Sequence, residues 1–133
     1  MAKTARALEA AKIKNATDEL TELAIKSLQE KKGHEIVCLD LRQLKTSITD
    51  MFIVCHGDST TQVDALARSA EEIIYKETGE NPVYKEGSEN AQWILLDYIN
   101  VVIHIFQKEF RDYYGIERLW ADAQVRQVSE DKK

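Results

Sequence analysis

The chain predicts an α/β fold in a single domain, with a sheet flanked by helices. Three observations carry that prediction. Short, nearly continuous apolar runs, such as Phe52-Ile53-Val54-Cys55 and Val101 to Phe106, have the length and β-branched content of covered strands. Elsewhere apolar residues recur at helical spacing, as Val63, Leu66, Ala67, Ala70, Ile73 and Ile74 do. The 133 residues are enough for one core and contain no internal repeat, low-complexity block or linker.

The elements follow in order. Residues 1–14, an N-terminal extension, carry Lys3, Arg6, Lys12 and Lys14 among alanines, and the sequence leaves both a helical extension and a frayed tail open there. Asn15 followed by Asp18 reads as a helix start. Leu20, Leu23, Ala24, Ser27 and Leu28 mark its buried face, and Glu22 and Lys26 make an i,i+4 pair opposite. That helix should stop near Gly33. Ile36 to Asp40 is the first strand, and an irregular link runs through Arg42, Lys45 and Ser47. Asp50 to His56 is the second strand, ending at Gly57. Ser59-Thr60-Thr61-Gln62 has the spacing of a capping box, and Gly79 closes the helix it opens. Asn81-Pro82 makes a turn into a short third strand at Val83-Tyr84, near a sheet edge. Gly87 to Asn90 is a loop.

Trp93 to Asp97 and Val101 to Phe106 are the last strands, and Tyr98-Ile99-Asn100 between them leaves room only for a hairpin. With a period of two, Trp93, Leu95 and Asp97 share a face with Val102, His104 and Phe106. Ile94, Leu96, Val101 and Ile103 form the opposite, wholly apolar face. A short helical region follows, in which Leu119 and Trp120 read as core anchors. The domain spans 15–125, and residues 126–133 are a polar tail that frays.

Composition excludes several classes. The formal charge is −5, which gives no basic face for direct nucleic-acid binding. An acidic chain of this kind suits a basic protein partner better than bare RNA. No apolar run is long enough to cross a bilayer, and no signal peptide with a hydrophobic centre is present, so the expected place is the cytoplasm. Cys38 and Cys55 lie in apolar strands and read as buried reduced thiols.

Candidate chemistry is sparse. Gly57-Asp58-Ser59, a strand end before a helix, resembles the phosphate-binding turn of nucleotidyltransferases, and a helix N-terminus with hydroxyls can hold an anion. Phosphoryl transfer also needs carboxylates that hold metal, commonly a pair alternating along one strand. Asp97 stands alone there, while Asp58 and Asp64 lie in the turn and on the helix. Ser59 as helix cap is the plainer reading. His56, His104 and Cys55 match no zinc spacing. Mid-strand His104 reads as a hydrogen-bonded structural residue, or as a contact residue if it is exposed beside Trp93. The face that mixes Trp93, Leu95 and Phe106 with Asp97 and His104 reads either as core or as an interface centre. Arg111, Tyr114 and Glu117 lie on one stretch, with Glu117 able to pair with Arg111 or Arg118.

The ordered series Trp93, Leu95, Asp97, then Val102, His104, Phe106, then Arg111, Tyr114, Glu117, Leu119, Trp120 resembles the signature of the ribosomal silencing factor, or Iojap-like, family. The resemblance runs from Leu20 to Ala123. One departure is the turn, where that family usually has Gly-Asp and this chain has Ile99-Asn100; a branched residue disfavours positive φ. The resemblance implies a mixed five-stranded sheet related to the nucleotidyltransferase fold, and a non-enzymatic role with no catalytic residue, cofactor or metal. It implies binding to the large ribosomal subunit through its ribosomal protein fourteen, a steric block to joining of the small subunit, repression of translation, and a possible homodimer. No direct DNA binding and no membrane role are expected. Trp93, Leu95, Tyr98, Val102, His104, Arg111 and Tyr114 would contact the partner, with Asp97, Phe106, Leu119 and Trp120 as support. The other class open to the chain is a divergent nucleotidyltransferase using Gly57 to Ser59.

Overall fold

The computed structural model describes residues 2–45 and 47–128, with side chains described from Ala16 onward. Its elements are α1 (Ala2–Glu30), β1 (His34–Asp40), β2 (Met51–Gly57), α2 (Thr60–Thr78), β3 (Tyr84–Glu86), β4 (Trp93–Asp97), β5 (Val101–Gln107), α3 (Lys108–Tyr114), α4 (Ile116–Leu119) and β6 (Gln124–Gln127). The strands form one mixed sheet in the order β3-β4-β5-β2-β1-β6. The central pair, β2 and β5, is parallel, and the crossover between them carries α2. The other neighbours are antiparallel.

The sheet has six strands where five were expected. β6 lies on β1, from Val37 opposite Gln127 to Asp40 opposite Gln124, and all its residues are exposed. A strand with no buried face leaves no hydrophobic period in the sequence; the open edge of β1 recruits it. The expected polar tail therefore begins inside a strand. Arg126 donates to both Glu22 carboxylate oxygens, at 2.6 and 3.3 Å, so Glu22 turns to β6 rather than to Lys26. Residues 129–133 of that tail lie outside the described residues.

The first helix begins at Ala2, not at Asn15. The alanine-rich segment has high helix propensity and contains no breaker, so Asn15 and Asp18 become interior positions. α1 ends with Lys32 at φ 59°, its N–H donating to the Gln29 carbonyl at 3.0 Å, and with the Gly33 N–H donating to the Leu28 carbonyl at 2.8 Å. This is a Schellman ending. A Cβ on Gly33 would stand 3.1 Å from a Leu66 methyl, so glycine lets the end of α1 approach α2 closely. The expected cap of α2 is present: the Gln62 N–H donates to Ser59 Oγ at 3.1 Å, and Gly79 at φ 77° ends the helix.

Alternation divides the core into two layers. Met51, Ile53 and Cys55 of β2, Val101, Ile103 and Ile105 of β5, and Ile94 and Leu96 of β4 pack beneath α1 and α2. Val54, Phe106, Val37 and Leu39 face the opposite side, where Ile116 and Trp120 cover them. The first layer has two long helices over it. The second has only α3 and α4, which reach part of the sheet, and the remainder of that face becomes the site. Trp120 serves as an anchor, edge-to-face with Phe52 at 5.6 Å. Leu119 does not: it is 77% exposed, because the short α4 turns Ile116 inward instead.

Both cysteines are buried and free. Burial pushes the Cys38 thiol up to about 11 and Cys55 to about 12, so neither forms a thiolate at neutral pH.

Candidate functional site

The hairpin places Trp93 opposite Phe106, Leu95 opposite His104 and Asp97 opposite Val102. The shared face expected from the alternation is therefore formed. The unusual turn is accommodated rather than avoided. Ile99 adopts φ 76°, and the Asn100 N–H donates to the Tyr98 carbonyl at 3.0 Å, a three-residue γ-turn inside the strand closure. Two contacts hold it. The Ile99 N–H donates to Asp97 Oδ1, and the Thr49 hydroxyl donates to the Ile99 carbonyl, each at 2.7 Å.

Trp93 is half-buried. Its Nε1–H donates to His104 Nδ1 at 3.1 Å, and its ring lies 4.8 Å from Phe106, stacked, and 4.9 Å from Tyr114. Because Nδ1 accepts, the His104 hydrogen sits on Nε2. His104 is 3% exposed, and burial holds its pKa down at about 3, so the ring is neutral near pH 7. Nε2 meets no hydrogen-bond partner among the described residues; the Phe52 ring stands edge-to-face at 4.6 Å.

Leu95 stands on a ridge between two hollows. One, of about 380 Å³, is walled by Ile48, Phe52, Leu95, Ile99 and Val102 with His104 in its lining. The other, of about 290 Å³, is polar-edged, with Glu86, Asn90 and Gln92 beside Trp93 and Tyr114. Exposed apolar groups rim the first hollow: Ile48 is 98% exposed and Ile99 66%. An apolar hollow joined through Leu95 to a half-buried Trp is a form that protein interfaces take.

Sequence comparison gives the family. A family model described as "Ribosomal silencing factor during starvation" matches residues 14–133. The chain is 38% identical over 108 residues to a ribosomal silencing factor of Halalkalibacterium halodurans, covering 81% of this chain and 91% of the relative. It is 44% identical over 102 residues to that of Chromobacterium violaceum, covering 77% and 82%. The chain belongs to the ribosomal silencing factor family. A crystal structure of a Chromobacterium violaceum protein superposes on this silencing-factor domain with a TM-score of 0.74 at 40% identity, covering 86% of this chain and 95% of that one.

Within the silencing-factor domain the expected site residues divide. Trp93, Leu95 and Tyr114 reach the surface, Val102 and His104 form the floor, and Asp97 braces the turn. Phe106 is fully buried under Trp93. Two expected contact residues are placed elsewhere. Tyr98 is 3% exposed and packs in the main core, because the γ-turn sends its side chain to the helical side. Arg111 is 7% exposed. Its Nε–H donates to Glu117 Oε1 at 2.8 Å, and its Nη1–H groups reach His56 Nδ1 at 2.9 Å and the His34 carbonyl at 3.3 Å. It ties α3 to β1 and β2 rather than facing outward. Ile48, Thr49, Phe52 and Ile99 are site residues that the motif did not mark. Their signals were a lone isoleucine in a polar link and an isoleucine in a turn.

The Gly57–Ser59 turn of the silencing-factor domain is occupied by its own chain. Gln62 accepts the Asp58 N–H on Oε1 at 2.7 Å and donates through Nε2 to the Lys31 and Lys32 carbonyls. Ser59 Oγ caps α2. The Asp58 and Gln62 N–H groups are therefore already paired within the chain, and a Cβ on Gly57 would meet Gln62 at 3.2 Å.

His56, like His104, has its pKa lowered, by burial first and by the Arg111 charge next. Unfolded histidine titrates near 6.5. The unfolded chain thus binds more protons than the folded one below that value, so stability is full above about pH 6.5 and falls as pH drops. Each histidine contributes a slope of up to about 1.4 kcal/mol per pH unit. Thermal unfolding between pH 7 and 5 should show the loss, and His104→Gln should flatten it. An unaltered slope in that variant would remove His104 from the account.

Proposed function

We propose that this chain binds the large ribosomal subunit through the Trp93–Leu95 ridge, on ribosomal protein fourteen, and sterically prevents the small subunit from joining. Translation is repressed without any bond being made or broken, with no cofactor or metal, in the cytoplasm where ribosomes assemble on messages. The half-exposed Trp93–Leu95 pair, with Leu95 bordering the apolar hollow, is the observation that carries this reading. Family membership supports the ribosome as target, since the relatives are named ribosomal silencing factors. The formal charge of −5 suits a basic ribosomal protein. Self-association belongs to the same reading, with the exposed β3 at the sheet edge as its surface.

Cosedimentation tests it. The protein should pellet with purified large subunits and not with small ones, and recovery only in the supernatant would sink the reading. A monomer mass for the free protein at high micromolar concentration would remove the dimer.

A further inference from the structure

We propose that the hollow between Ile48 and Ile99 is a docking subsite for an apolar side chain on a basic protein segment, with the two isoleucines as its jaws. The inference rests on the ribosome-binding reading above and names what that surface takes.

Ile99 carries the first part of the argument. A β-branched residue at φ 76° is a conformational outlier that glycine would relieve, and its side chain is exposed rather than packed. Folding gains nothing from an isoleucine there. Ile48 faces it from the link before β2 and is almost wholly exposed. The two are held as a unit. The Thr49 hydroxyl donates to the Ile99 carbonyl, and the Asp50 and Met51 N–H groups both donate to the Asn100 carbonyl at 3.1 Å. Thr17 on α1 braces both sides: its hydroxyl donates to Asp50 Oδ2 and accepts from Asn100 Nδ2. A hollow braced in this way does not have to order its walls on binding.

Charge selects the occupant. Among the described lining residues Asp97 is the one acidic side chain, and none is a lysine or arginine. The wall therefore offers apolar surface and one negative charge, with no cation. A leucine- or valine-sized side chain with a lysine or arginine close by in sequence matches both features. The subsite is continuous with the Trp93 ridge through Leu95, which borders both hollows.

The test uses the full chain, with large-subunit binding and melting temperature read together. Ile99→Gly should leave the melting temperature unchanged or raised, since glycine takes positive φ readily. It should weaken binding about tenfold, which is ~1.4 kcal/mol. Ile48→Ser should weaken binding similarly with an unchanged melting temperature. Trp93→Ala is the control for the reading beneath. If Trp93→Ala loses binding while both isoleucine variants bind like the unaltered protein, the subsite is wrong and the ridge stands. If the unaltered protein does not bind large subunits, both fall.

Discussion

Arg111→Ala is expected to destabilise the domain by about 3–5 kcal/mol, the range for breaking a buried ion pair by removing one partner. Arg111 is buried and its guanidinium serves three acceptors on three parts of the chain: Glu117 in α4, His56 on β2 and the His34 carbonyl on β1. Truncation leaves the His56 and His34 acceptors without their donor and opens a gap beneath α3. Glu117 is partly solvated and recovers some hydration, which places the loss toward the lower end of the range. Total stability for a domain of this kind is about 5–15 kcal/mol, so the melting temperature should fall by on the order of 10 °C. Circular dichroism on heating reads this directly. A variant that melts normally but no longer binds ribosomes would return Arg111 to the contact surface.

Trp93→Ala is expected to weaken large-subunit binding roughly thirtyfold or more. A tryptophan presents ~150–250 Å² for burial, and interface anchors of this type cost on the order of 2 kcal/mol or more when truncated. Some loss of stability should accompany it. Trp93 lies on Phe106 and donates to His104 Nδ1, and an acceptor buried without its donor costs about 1–3 kcal/mol. Trp93→Phe keeps the stacking and loses only the N–H, so it separates the two effects. The neighbouring residue supplies the contrast. Ile94 is fully buried on the opposite face of β4, and Ile94→Ala should cost about 2–5 kcal/mol of stability while leaving binding intact wherever the variant is folded. Equal binding by Trp93→Ala and the unaltered protein would show that the contact face is wrong.

The sheet was legible because its central strands are long, β-branched and bounded by turn residues. The shared face of Trp93, Leu95, Val102 and His104 followed from alternation alone. β6 was not legible, since Gln124 to Gln127 buries nothing and owes its place to the open edge of β1. The early start of α1 was misread because Asn15 and Asp18 resemble cap residues, although the alanine-rich stretch before them propagates the helix through both. Spacing along the motif placed Tyr98 and Arg111 beside the other expected contact residues. Burial separates them: a motif records which residues occur together, not which side of the sheet each one faces. Leu119 failed in the opposite sense, being apolar and adjacent to Trp120 yet turned outward by a helix of one turn. Ile48 and Ile99 are brought together by the Thr49, Asn100 and Thr17 hydrogen bonds, between segments far apart in the chain, and no local period could have joined them.

The most direct test is light scattering during reassociation of purified large and small subunits. At saturating protein the scattering rise that reports joined ribosomes should be suppressed, and Trp93→Ala should restore it. An association curve that the unaltered protein leaves unchanged would contradict the account.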